Sequence, residues 1–236
     1  LGRRELEKGT PKGIGPLEAG IFSLLGLLIA FTFGGATGRW ETRRALVVQE
    51  ANDIGTAYLR LDLLLPADRT RMQQLFKDYV HARLRMYEAM PDEVAARKEL
   101  AQVNELQNAI WTGAVAACKA EGSGLSARLL LPALNEMIDI TTTRTMMTQA
   151  HPPRIIFIML YLLSLAASLI AGYGMAADER RRWLHQVGYA LIMAGSIYVI
   201  LEIEYPRAGL IRLDHVDQAL VDLEPRHVRV AEHRHP

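Results

Sequence analysis

Residues 19–65 read AGIFSLLGLLIAFTFGGATGRWETRRALVVQEANDIGTAYLRLDLLL, and two features of that run decide the fold. Its opening stretch, 19–38, holds no Asp, Glu, Lys or Arg. A helix crossing about 30 Å of hydrocarbon at about 1.5 Å per residue needs roughly 20 apolar residues, so this stretch reads as a membrane span. Beyond it no proline occurs until Pro66, and Trp40, Val47, Ala51, Ile54, Tyr58, Leu61 and Leu65 recur at gaps of three, four or seven, the spacing of a helical seam. The span is therefore expected to continue into water as one long helix that Pro66 stops. Arg43, Glu50, Asp53 and Arg60 fall on a strip beside that seam.

Two further charge-free runs, 155–177 and 186–201, repeat the first feature. Trp183, His185 and Tyr189 suit one membrane interface and Tyr198 and Tyr205 the other, which sets the last span at 184–203. Between the first and second spans lies a helical segment, 39–153. A second helix starts near Asp68 with Met72, Leu75, Tyr79, Val80, Leu84 and Tyr87 on one face. Pro91-Asp92 opens a third that reaches about Ala120. Gly122-Ser123-Gly124 breaks the chain, and a last helix carries Leu125 to about Gln149, with Pro132 either near its start or kinking it. His151-Pro152-Pro153 ends it. No period-two alternation occurs, so the class is all-α: a multi-pass membrane protein with an extramembrane helical domain between the first two spans. Three spans lie in this chain, and the flank Leu1-Gly-Arg-Arg reads as the end of a fourth, upstream helix.

The charges, 27 basic against 26 acidic for a net +1, carry no clustered excess of Lys and Arg for a polyanion, so nucleic acid is not an expected partner. The lipid bilayer is. Crossing parity puts the flank 1–18 and the loop 178–183 on one side, and both are short and basic: Arg3, Arg4, Lys8 and Lys12, then Arg180, Arg181 and Arg182. The positive-inside rule places them in the cytoplasm of a bacterial plasma membrane, and the helical domain with the tail 204–236 in the periplasm. Arg39, Arg43 and Arg44 on the opposite flank count against that orientation.

Gly26, Ala30, Gly34 and Gly38 stand four apart along the first span, and Ser164, Ser168 and Gly172 do so along the second. Small residues at this spacing let helices approach closely in lipid. They point to packing within one protomer, to a subunit contact, or to a pore-lining face on which Phe22, Ile29, Phe31 and Phe33 supply the bulk of an apolar constriction. Arg43, Glu50, Asp53 and Arg60 suit either ion pairs that fix helix register or a charged vestibule. Glu136 and Asp139 read as a solvated or paired face. Glu202 and Glu204 close the last span, where a carboxylate is costly unless paired, hydrated or functional. A salt bridge to Arg43 or Arg44 satisfies them, and Glu202 is the first candidate for contact with a passing cation.

No metal site or cofactor is expected. The lone cysteine, Cys118, excludes an internal disulfide and reads as a small buried apolar side chain. His81, His151 and His185 are isolated, and His227, His233 and His235 crowd the tail without a fourth ligand. No P-loop, Gly-x-Gly-x-x-Gly, His-Glu-x-x-His or Gly-x-Ser-x-Gly occurs, so the protein is not expected to be an enzyme.

Several blocks carry a resemblance: Gly26-Leu27-Leu28 with Phe31-Thr32-Phe33, Arg43-Arg44 with Leu46-Val47-Val48, and Glu50-Ala51-Asn52 with Ile54-Gly55-Thr56-Ala57-Tyr58-Leu59-Arg60. Leu134-Asn135-Glu136 with Ile138-Asp139, Gly172-Tyr173-Gly174, and Glu202-Ile203-Glu204-Tyr205-Pro206-Arg207 with Gly209-Leu210-Ile211-Arg212 extend it in order along the chain. In these the sequence resembles the bacterial membrane proteins described as bestrophin-like. Bestrophins proper are pentameric ion channels with four spans and a helical domain between the second and third. The resemblance thus implies a homo-oligomer and a candidate ion channel or pore. It sets the helical domain in the cytoplasm, opposite to the charge reading, and no pore or calcium motif carries over. The competing class is an accessory subunit of a larger membrane complex that transports nothing.

Overall fold

The computed structural model describes residues 14–89, 92–121, 124–175 and 183–205. The basic residues Arg3, Arg4, Lys8, Lys12 and Arg180 to Arg182, the Gly122-Ser123 break, and the tail with Arg207, Arg212, His227, His233 and His235 lie outside the described residues. Among the described residues every regular element is helical: α1 Ile14–Arg60, a 3-10 turn Leu61–Leu63, α2 Pro66–Glu88, α3 Glu93–Glu121, α4 Leu125–Gln149, α5 Arg154–Met175 and α6 Trp183–Glu204. The chain divides into two compact units, Leu1–Trp40 with His151–Tyr205 and Glu41–Ala150 with Pro206–Pro236.

In the first unit α1, α5 and α6 meet through a small core of Leu25, Leu160 and Ala167, bordered by Ile21, Phe22, Ile29 and Met193. Phe22 meets Tyr189 edge to face, with ring centroids 5.6 Å apart. Inward positions on α1 fall at Ile21, Leu25, Leu28, Thr32 and Ala36, a three-four repeat that keeps one face on the partner helices. The opposite surfaces stay apolar and open: Phe31, Leu162, Leu169, Leu191 and Ile192 are all more than half exposed. Burying each such side chain contributes about 1.5–3 kcal/mol, so a surface of this kind is unsuited to water. Among the described residues three helices are long and apolar enough to cross a membrane. Three of their serine hydroxyls are satisfied within the helix: Ser164 donates to the Leu160 carbonyl, Ser168 to Ser164 and Ser196 to Ile192, each at 2.8 Å, as hydrocarbon favours.

In the second unit α1 beyond Trp40, the 3-10 turn, α2, α3 and α4 enclose one core that includes Ile54, Leu61, Met72, Phe76, Ile110 and Leu134. Pro66 sits in the first turn of α2, where its missing N–H costs nothing. The Asp92 carboxylate accepts the Val94 and Ala95 amides at 2.9 and 3.2 Å and caps α3. Gly124 enters α4 with φ 71°, a backbone that favours glycine. Pro132 lies inside α4. Gly113 on α3 lets Met72 of α2 come within 2.9 Å of the position a Cβ would take.

One expectation needs correcting. The buried positions of α1 in this unit include Arg43, Val47, Glu50, Ile54 and Ala57, continued by Leu61 of the 3-10 turn, at gaps of four and three, so Arg43 and Glu50 occupy the seam itself rather than a strip beside it. Trp40 and Tyr58 are half-buried and Leu65 is exposed. A search for apolar recurrence passes over a charge, yet a charge is tolerated in a seam whenever the facing helices supply its partners.

Candidate functional site

The most concentrated chemistry lies inside the helical unit. Glu50 on α1 is fully buried. Arg83 Nε of α2 donates to its Oε1 at 2.6 Å, the Tyr87 hydroxyl donates to Oε2 at 2.9 Å, and Arg144 Nη1 of α4 donates to the same Oε2. Arg83 Nη2 also donates to the Tyr87 oxygen. The Tyr87 ring carries both cations on its surface, Arg144 at 4.1 Å and Arg83 at 4.7 Å from its centroid, a favourable arrangement for guanidinium. Burial alone would push the Glu50 carboxyl up, but the two guanidiniums overcome it and hold it below the ordinary carboxylate value. Burial works against the charge on Arg83 as well, and Glu50 with the neighbouring phenols more than compensates. The Tyr87 phenol is pushed well up by burial and by Glu50.

A second polar cluster adjoins it. Gln107 Nε2 of α3 donates to Thr141 Oγ1 at 3.0 Å and to the Tyr79 hydroxyl at 3.4 Å. The Tyr79 phenol is raised, first by burial, with Glu50 adding to the effect. This interior thus holds ionised and polar groups whose hydrogen bonds are made to one another, and it serves to lock α1, α2, α3 and α4 in register.

The other members of the α1 strip do not gather around Glu50. Arg43 Nε and Nη2 donate to the carbonyls of Met147 and Ala150 at 3.3 and 3.0 Å, closing the C-terminal end of α4. Arg60 Nη1 reaches the Leu129 carbonyl at 2.6 Å, in the turn of α4 just ahead of Pro132. Asp53 is half-buried, its Oδ2 without a hydrogen-bond partner among the described residues. Its carboxyl is raised by burial, by Glu136 and by Glu50. Glu136 and Asp139 are exposed, and Asn135 donates to Asp139 at 3.0 Å.

In the membrane unit Glu204 is fully buried at the end of α6. Its carboxylate pairs with Arg39. Arg39 Nε lies 3.1 and 3.0 Å from the two carboxylate oxygens and Nη2 lies 2.6 Å from Oε2. Arg39 sits one turn nearer the span than Arg43, level with the last turn of α6. His151 Nδ1 approaches Oε1 at 2.9 Å, and its ring stacks on Tyr205 at 4.6 Å. Glu202 is half-buried one turn from Tyr198, with which it interacts.

The small-residue stripe of α1 turns away from the unit's core. Gly26, Ala30, Gly34 and Gly38 are exposed, and a Cβ added at any of the three glycines would meet no atom within 4 Å. Ile29 packs into the core, whereas Phe31 is 71 % and Phe33 44 % exposed. Two residues apart on a helix is about 200° of rotation, so Phe31 and Phe33 project from nearly opposite sides and cannot both face one axis. Cys118 is buried. Among the described residues no group of three or more His, Cys, Asp or Glu side chains is placed to hold a metal ion.

The sequence reading passed over Arg83 and Arg144, and over Tyr87 as more than an apolar face residue. A signal for them exists. Phe76, Tyr79, Arg83 and Met86 step by three and four, as do Leu134, Met137, Ile140 and Arg144, so each arginine occupies the inward position of an otherwise apolar stripe. His151 stands isolated in the sequence because its partner Glu204 lies 53 residues away.

Comparison with known proteins bears on the whole assembly. A family model described as Bestrophin-like domain matches residues 2–216. No curated protein and no solved structure matches the chain. The chain belongs to the Bestrophin-like family.

Proposed function

We propose that this member of the Bestrophin-like family is a homo-oligomeric integral membrane protein that forms an ion-conducting pore, with no enzymatic activity and no cofactor. The observation that carries the reading is the open face of α1, where Gly26, Ala30, Gly34 and Gly38 are exposed and a Cβ added at Gly26 or Gly34 would meet no atom within 4 Å. In lipid a groove of small residues is filled by another helix, because close backbone approach and dispersion replace the hydrophobic drive. A neighbouring copy is the occupant that closes a ring. Phe31 and Phe33 flank this face on its two sides, which makes one of them the natural apolar constriction and leaves the other to a contact or to lipid. The basic flanks favour the periplasmic side of a bacterial plasma membrane for the helical unit.

The test is conduction by the purified full chain in planar bilayers. Wild type is expected to pass current, and of Phe31→Ala and Phe33→Ala one, not both, is expected to raise single-channel conductance by widening and wetting the neck. Glu202→Gln is expected to shift cation-to-anion selectivity. Silence of wild type and both alanine variants under every voltage and pH, with co-purification of a stoichiometric larger complex, would replace the pore with an accessory subunit.

A further inference from the structure

We draw no further inference here: the strongest candidate, the exposed and uncharged strip that Ala45, Val48, Asn52 and Leu59 form along α1 in the helical unit, is an open helix face, and nothing in the structure shows what covers it.

Discussion

Replacing Glu50 by Gln would leave Arg83 and Arg144 sharing a core with no carboxylate between them. Removing one partner of a buried ion pair costs about 3–5 kcal/mol, so Glu50→Gln is expected to lose most of the margin of an ordinary domain, read as a large drop in urea midpoint or melting temperature. Asp53 behaves in the opposite sense. Burial and the carboxylates of Glu136 and Glu50 raise its carboxyl, so its charged form opposes folding and stability is given up as pH rises through the raised value. Asp53→Asn is expected to increase the melting temperature at pH 7 and to lose that advantage on acidification, once wild-type Asp53 is itself protonated. Glu50 is held low. Its contribution is complete above the ordinary carboxylate range and is lost as pH falls through the depressed value. The two mutants therefore separate on a pH scale as well as in sign.

At the scale of elements, the helix boundaries and the spans were legible because they are written in local chemistry: charge-free runs, Pro66, Asp92, Gly124 and the His151-Pro152-Pro153 stop. The site was legible only in part. Glu50 was singled out, but its partners lie 33 and 94 residues away, and apolar periodicity cannot say which charge faces which. For the same reason the sequence marks Glu204 as needing a cation without saying that Arg39 meets it. The α1 stripe was read from spacing, yet spacing could not tell an inner face from an outer one; the empty space beside Gly26, Gly34 and Gly38 distinguishes them. A leucine at position 34 would fill the groove from which a second helix is expected to gain its contact. Gly34→Leu is therefore expected to yield monomer in place of oligomer by light scattering in detergent, with the helical unit still folded by its melting transition. An unchanged oligomer would remove the stripe from the interface.

For the whole molecule, the proposed orientation rests on charge placement and is tested by labelling in intact cells. With Cys118 replaced by Ser, a cysteine at Asp178 is expected to resist a membrane-impermeant thiol reagent, and one at the 79 % exposed Val94 to react. The reverse pattern would put the helical unit in the cytoplasm. The buried quartet of Glu50, Arg83, Tyr87 and Arg144 also constrains how such a protein can change over generations. Losing one member alone exposes the others to an uncompensated desolvation cost, whereas a well-packed apolar set in place of the whole cluster can be as stable or more so. Single-step paths between the two solutions run through poorly folded intermediates. Descendant sequences are accordingly expected to inherit the four positions as a block, kept together or exchanged together, and an alignment in which they drift independently would mean that the core bears their loss one at a time.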